Sequence, residues 1–354
     1  MILFLSKYPQ TQEELRDGLF QRVVHIDSLF MEKKKIYLTA SPYRYFKKIY
    51  LTDNSENRII IQCNLILHLG LILNLYRNST TVYIHSIHNL LYQFIFFKIF
   101  KRKYILDLHG LVPEEFLMEG DVKRSVIFNN IEKYIYSNLK FVIGVSNKLV
   151  NHYKKKYPNA FPEYIVYPIL PNNLEDISAE ELNEIKRVEK VNFIYSGNLQ
   201  AWQNIDFMLE TIKKMSTNEN YFFQILTGEV EEMNRKFREK NIDLKNINIQ
   251  GVKAEELASY YKRAHYGFVL RDNIAVNNVA CPTKLVEYMN YGIIPVVLSD
   301  EIGDFKSMGF ENISVTDISD NLLPQKSVGN VDIIKNLYLK SKTTKAFIKN
   351  LSKY

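Results

Sequence analysis

Lys284, Glu287 and Tyr288 are the residues of this chain best placed by type and spacing to do chemistry. They lie in Cys281-Pro282-Thr283-Lys284-Leu285-Val286-Glu287-Tyr288-Met289, ahead of Asn290-Tyr291-Gly292-Ile293-Ile294-Pro295-Val296-Val297. The stretch predicts a loop, a short helix with Pro282 near its first position, a stop at Gly292 and a buried strand. A strand over 266–270 precedes it and ends at Arg271. Lys284 then falls in the first turn of a helix at the carboxyl end of a strand. Open α/β sheets bind ligands there, and helix N–H groups favour an anion. Glu287 and Tyr288 share its helical face. A cation for phosphates and a carboxylate for sugar hydroxyls on one helix suit a nucleotide sugar. The plainer alternative is a surface Lys284–Glu287 pair on an amphipathic helix.

Two further segments place polar residues at strand ends. Asn192-Phe193-Ile194-Tyr195-Ser196-Gly197-Asn198 runs from an apolar strand into a turn, where Gly197 lets a backbone approach a ligand closely. Trp202 and Gln203 follow. Asp107-Leu108-His109-Gly110-Leu111-Val112-Pro113-Glu114-Glu115 also leaves an apolar strand, with His109 at its end and Glu114 at a helix start that suits a carboxylate. His109 reads either as a site residue or as a satisfied core histidine. His85 and His88 lie at another strand end. Near the N-terminus, Arg16 and Arg22 are cations suited to a phosphate.

These elements must be positioned by a repeating pattern. Apolar strand-like runs alternate with helical ones, which predicts an α/β chain of parallel sheets joined by crossover helices. The first series has strands near 1–5, 35–39, 46–51, 58–63, 81–86, 103–108, 141–145 and 164–167. The second has strands near 191–196, 221–227, 247–250, 266–271, 294–298 and 313–316. Prolines and asparagines over Pro168–Asn173 break the two series apart. The expected domains are 1–170 and 171–334, and the tail reads as one or two helices.

Together the three motifs resemble those of the GT-B glycosyltransferases, and within them the family 4-like, mostly retaining, bacterial enzymes of surface-polysaccharide assembly. The resemblance is strongest over residues 191–300. It implies two Rossmann-like domains facing across a cleft, with the helix at 335–354 packing back on the first. It assigns Arg271 and Lys284 to the donor diphosphate, with Gly197, Asn198, Cys281, Thr283 and Leu285 around the donor. Glu287 matches the second glutamate of the family's Glu-x7-Glu motif, which binds ribose hydroxyls. The first glutamate falls on Val279, so the chain departs from the family there. His109 would act at the transferred sugar or acceptor, with Arg16, Arg22, His85 and Glu114 on the acceptor side. The implied donor is a UDP- or GDP-sugar, and the implied acceptor a glycan or polyprenyl-diphosphate-linked glycan. No metal or other cofactor is expected, and the family's retaining chemistry is implied by the resemblance alone. An inverting enzyme would recruit His109 or Asp107 as base. A nucleotide-sugar epimerase and a non-catalytic subunit of a glycan-assembly complex are the competing readings.

Composition narrows the setting. Two cysteines, Cys63 and Cys281, lack metal-ligand spacing and argue against a disulfide framework. Met1–Ser6 reads as a strand and not a signal peptide, and no apolar run reaches about 20 residues, so a soluble cytoplasmic protein is expected. The net charge of +7 and pI near 9.0 have three readings: solubility, attraction to the anionic inner face of the plasma membrane, or nucleic acid. No groove-reading motif supports nucleic acid. Residues 92–103 are apolar with a basic end, and read as a membrane-facing helix or one buried under the sheet.

Overall fold

The computed structural model describes residues 1–11, 14–16, 18–171, 174–184, 190–319 and 321–351. The chain divides into two compact units, Met1–Ile169 with Lys340–Tyr354, and Leu170–Leu339. Asn172 and Asn173, part of the expected break, lie outside the described residues, as do positions 352–354 of the expected last helix.

The first unit holds eight strands: β1 (Ile2–Leu5), β2 (Lys35–Ser41), β3 (Ile49–Asp53), β4 (Arg58–Asn64), β5 (Thr81–His85), β6 (Lys103–Leu108), β7 (Phe141–Gly144) and β8 (Glu163–Val166). Their order in the sheet is β3-β4-β2-β1-β5-β6-β7-β8. The central strands are apolar on both faces because helices cover both, as parallel sheets require. Phe4 of β1 stacks on Tyr37 of β2 at 4.7 Å. Val23 and Ile26 of the helix Gly18–Ser28 complete the core, together with Ile348 and Leu351 from the far end of the chain. β3 departs from the expected parallel arrangement, since it runs antiparallel to β4. The reason is its connection: the short turn between Asp53 and Arg58 can close a hairpin but cannot carry a crossover of a dozen residues.

The second unit holds β9 (Val191–Ser196), β10 (Tyr221–Leu226), β11 (Ile247–Gln250), β12 (Tyr266–Val269), β13 (Ile294–Val297) and β14 (Ile313–Ser314). All its pairings are parallel, in the order β11-β10-β9-β12-β13-β14. The winding reverses between β9 and β12, so a crevice opens at their carboxyl ends. Phe193, at the centre, stacks with Phe223 at 5.2 Å and Tyr266 at 5.3 Å. The helix Ile205–Met215 buries Ile205, Met208, Leu209 and Ile212, a stripe at helical spacing.

The helix Thr283–Asn290 carries the candidate site residues, and two glycines fix it. Gly267 on β12 lets the Tyr288 ring lie on the strand, in space that any Cβ would occupy. Gly292, at φ +66°, ends the helix in a Schellman turn. Its N–H donates to Met289 at 3.0 Å, and that of Ile293 donates to Tyr288 at 2.9 Å. The tail is one helix, Val328–Asn350.

Candidate functional site

The crevice of the second unit gathers the cations. Gly197 leaves β9 at φ +153°, with its N–H on the Leu226 carbonyl at 3.0 Å. A Cβ at this position would stand 2.9 Å from Lys284 Nζ, so glycine is needed for the close approach. Lys284 Nζ lies 3.9 Å from the centre of the Tyr195 ring and donates to Gln203 Oε1 at 3.0 Å. Arg271 enters from the end of β12 and donates through Nη1 to Asn277 Oδ1 at 3.4 Å. Asn277 is itself buried and held by the Asp272 carbonyl at 3.0 Å. Burial pushes Arg271 down to about 10. It pushes Lys284 well below the usual lysine value, and the neighbouring Arg271 charge pushes further in the same direction. Two cations thus stand together where the field of each disfavours the other. An anion placed between them would relieve both.

Glu287, one turn on, is held from behind. Burial raises its carboxyl above the ordinary range, and Tyr261 Oη, donating to Oε2 at 2.9 Å, with the Lys284 charge, opposes this. Tyr261 gives its one proton to Glu287, so Ser196 Oγ, 2.7 Å away, donates to Tyr261. Tyr288 Oη accepts the Ser196 N–H at 2.9 Å. The last residue of β9 is therefore wired to Glu287 through one tyrosine and to the site helix through another. Lys284 is engaged with Gln203 and Glu287 with Tyr261, so the simple surface pair is not what is seen.

The remaining donor-side candidates take varied positions. Thr283 and Lys284 open the helix, where the first N–H groups have no intrahelical partner. Leu285 turns a fully buried side chain into the core and gives its N–H to the Pro282 carbonyl at 3.1 Å, so a side-chain contact with a donor is corrected to a packing role. Cys281 is buried and is not part of a disulfide. Asn198 is exposed, and its carbonyl accepts from Tyr195 Oη. Val279, standing where the family has glutamate, is buried at the end of the short helix Ala275–Asn278.

In the first unit, the ends of β5 and β6 hold a second cluster. Asp107 is fully buried and accepts from Arg22 Nε at 3.1 Å, Arg22 Nη2 at 3.0 Å and Tyr83 Oη at 2.9 Å. His85 Nδ1 and His109 Nε2 each lie 3.5 Å from its Oδ2. Arg22 also donates to the Pro168 carbonyl at 3.2 Å and covers the Tyr167 ring. Burial alone would lower Arg22 and raise Asp107. Their attraction outweighs it, so Arg22 is pushed up and Asp107 lies well below the usual carboxylate range. Burial pushes His85 down to about 3, so its ring is neutral.

This corrects two expectations. Arg22 is closed to an acceptor phosphate because it is buried and committed to Asp107. His85 has no exposed surface, so it supports the cluster and does not meet an acceptor directly. Asp107, shielded by Arg22 and Tyr83, is likewise not placed to act as a base. His109 alone reaches the surface of the cluster, with 13% of its side chain exposed. Glu114 accepts from Lys156 Nζ at 2.9 Å and lies 3.6 Å from His152 Nε2. Burial raises its carboxyl, but these two partners outweigh that and hold it at about 2. Arg16 ends a single 3-10 turn, and its side chain lies outside the described residues.

No family model matches the sequence, and no curated protein matches it. Solved structures do match. An E. coli trehalose-6-phosphate structure bound with UDP-2-fluoro glucose superposes at a TM-score of 0.65, with 10% identity, over 100% of this chain and 99% of that one. Sucrose-phosphate synthase from Thermosynechococcus elongatus gives a TM-score of 0.61 with 12% identity, over 99% and 92%. Anabaena HepE in complex with UDP-glucose gives 0.58 with 13% identity, over 99% and 92%. The fold is that of the GT-B glycosyltransferases. At such identities the likeness is one of fold, so the chemistry has to be argued from this chain's own residues.

On those residues, the sequence places Arg271 and Gly197 at strand ends and Lys284 and Glu287 on one helix, and the structure brings the two cations and the glycine together around Tyr195. It did not assign roles to Tyr261, Ser196 or Gln203. Tyr261 sits in an ordinary amphipathic helix, Leu257–Arg263, and only the tertiary path aims its hydroxyl at Glu287. Gln203 was legible only as a residue that follows the Gly197 turn.

Proposed function

We propose that this chain is a glycosyltransferase that moves a sugar from a nucleoside-diphosphate sugar to a glycan or polyprenyl-diphosphate-linked acceptor, in the assembly of a bacterial cell-surface polysaccharide. One observation carries the reading: Arg271 and Lys284, both destabilised by burial, meet beside the open backbone of Gly197 at the switch point of the second sheet. A diphosphate supplies the negative charge that this pair lacks. Glu287, steadied by Tyr261, accepts hydrogen bonds from ribose hydroxyls. UDP is the favoured nucleotide, because structures of the same fold hold UDP-2-fluoro glucose and UDP-glucose.

The family resemblance, and not the geometry, makes this a retaining transfer, and we take it to be metal-independent on the same ground. The bond from the sugar's anomeric carbon to the diphosphate oxygen breaks, and a bond to the acceptor oxygen forms on the same face. The acceptor's proton passes to the departing phosphate oxygen. Arg271 and Lys284 stabilise the charge growing on that leaving group, which is where preorganised cations contribute most. His109, oriented by Asp107, acts on the transferred sugar or the acceptor hydroxyl. The trio His85, Asp107 and His109 brings three ligand atoms within 4.8 Å of one another. Its one carboxylate, however, is already taken by Arg22 and Tyr83, which fits a positioning role and not a metal centre.

The test is a calorimetric and hydrolysis panel of UDP-, GDP-, ADP- and dTDP-sugars on the full chain, with His109→Ala beside it. Micromolar binding of one nucleotide sugar is expected, and His109→Ala is expected to lower turnover far more than nucleotide affinity. Failure of every nucleotide sugar to bind would overturn the reading.

A further inference from the structure

The charge of this chain is unevenly placed. Residues 33–106 carry twelve Lys and Arg but only two acids, Asp53 and Glu56, so this segment alone is +10 in a chain of net +7. From Asn57 to Leu106 there is no Asp or Glu. The same segment exposes large apolar side chains: Tyr43 (76%), Phe46 (66%), Ile66 (70%) and Leu67 (64%). Scattered singly, exposed apolar residues carry no meaning, but these are tied into one surface. Asn64, itself 1% exposed, donates to the Pro42 carbonyl at 3.0 Å and the Arg44 carbonyl at 3.2 Å. Its Oδ1 accepts from the N–H groups of Ile66 and Leu67 at 3.0 and 3.1 Å. One buried side chain therefore holds the tip after β2 against the tip after β4. The Tyr43 ring then meets the Tyr92 ring edge-on at 6.3 Å, which joins the helix Phe94–Ile99 to the same surface.

That helix has apolar residues on both sides. Phe96 and Phe97 face the core, while Ile95 and Ile99, one turn apart, are 53% and 59% exposed. Lys98 lies over the Phe94 ring at 4.6 Å, and Lys48 over the Tyr50 ring at 5.9 Å, so aliphatic stems run along apolar surface with their charges at its rim. Among the described residues, Arg44, Lys47, Lys48 and Lys98 form no ion pair with an acid.

We propose that this face of the first unit docks on an anionic lipid bilayer, with Phe46, Ile66 and Leu67 entering the interface and Arg44, Lys47 and Lys48 meeting lipid phosphates. Charge complementarity selects this occupant: interleaved exposed apolar and unpaired basic groups, without acids, fit a negatively charged headgroup layer over an acyl boundary. The tips lie at the carboxyl edge of the first sheet, the same edge that bears His109. Docking would present that edge to an acceptor embedded in the membrane. This use rests on the glycosyl-transfer reading, whereas the docking itself does not.

The experiment is co-sedimentation of the full chain with phosphatidylcholine vesicles and with equimolar phosphatidylcholine–phosphatidylglycerol vesicles, across a salt series. Binding to the anionic vesicles only, weakened by salt, is expected. The variant Arg44→Gln/Lys47→Gln/Lys48→Gln should bind on the order of a hundredfold more weakly, at about 1 kcal/mol per cation. Ile66→Ser/Leu67→Ser, with charge unchanged, should bind roughly tenfold more weakly. Lys154→Gln/Lys155→Gln, on a basic helix elsewhere in the unit, should bind like the parent. Equal losses in that control, or no vesicle binding, would overturn the proposal. So would vesicle-indifferent self-association abolished by Ile66→Ser/Leu67→Ser, or tighter binding to a nucleic-acid duplex than to vesicles. Calorimetry with UDP on the same preparations separates the two readings. Nucleotide binding without vesicle binding removes only the docking proposal, and vesicle binding without any nucleotide binding removes only the glycosyl-transfer reading.

Discussion

The two polar clusters of this molecule sit at equivalent places, each at the carboxyl ends of central strands, yet their charge balance is opposite. Around Asp107 the formal charges are compensated, although the ring nitrogens of His85 and His109 are buried without a hydrogen-bond partner among the described residues. One carboxylate meets one guanidinium, a tyrosine hydroxyl and two imidazoles, and the attraction within the Arg22–Asp107 pair outweighs burial on both partners. Around Lys284 compensation fails. Two cations share a crevice with one carboxylate whose own burial raises it toward neutrality. The first arrangement holds its parts in place, with His109 at its edge. The second stores unfavourable charge that a bound anion would relieve. Charge balance, more than residue type, separates positioning from binding here.

The contrast can be broken most forcefully at Asp107. Asp107→Asn leaves the Arg22 cation buried without its partner, so the first unit should lose about 3–5 kcal/mol of stability, read by denaturant unfolding. A small loss would mean that the pair is not balanced as described. Next comes Lys284→Met, which keeps bulk but removes a charge that burial disfavours. Stability should stay within about 1 kcal/mol of the parent, while UDP affinity falls by about 1.5–3 kcal/mol in calorimetry. A destabilised variant with normal UDP affinity would reverse the comparison.

The pH responses should run in opposite directions. His85 has a folded value of about 3, below the unfolded value of 6.5, so the unfolded chain binds the extra proton between them. The first unit is then fully stabilised above about pH 6.5 and loses stability as pH falls through that window. In the second unit, Lys284 lies below its ordinary 10.5 until an anion favours its charged form. Nucleotide binding should therefore take up protons and weaken as pH rises toward that value, measurable by calorimetry in buffers of different ionisation heat. A pH-independent affinity would show that Lys284 is not coupled to the nucleotide.

The smallest effect is expected at Glu287. Glu287→Gln still accepts the Tyr261 hydroxyl and presents one polar group to a ribose, so its turnover should fall less than that of Glu287→Ala. Wild-type turnover in both would make the residue purely structural.

Much of this is legible in the sequence. The alternation of apolar runs located all fourteen strands among the described residues, because strand burial leaves a local signature. The glycines at 197 and 292 marked backbone turns for the same reason. What stayed hidden depends on chain paths that no local pattern encodes. Arg22 is an ordinary helix residue until Asp107, 85 positions away, arrives beside it. The hairpin of β3 was hidden in the direction of the strand and not in its composition. Tyr261 and Ser196 became part of the Glu287 environment only through the packing of three separate elements.

The long terminal helix has a consequence for how the protein is made. Ile348 and Leu351 are part of the core of the first unit, whose other strands all lie before residue 170. A ribosome delivers the β1–β8 segment first, yet residues that close its core emerge only after the whole second unit. At about 5–20 residues per second, the intervening 180 or so residues take roughly 10–40 s. Through that interval the N-terminal sheet stands incomplete, whereas the second unit has its whole chain once Leu339 has emerged. The half synthesised first is therefore the half completed last, and a ribosome stalled within the final helix would release a chain whose damage lies at its opposite end.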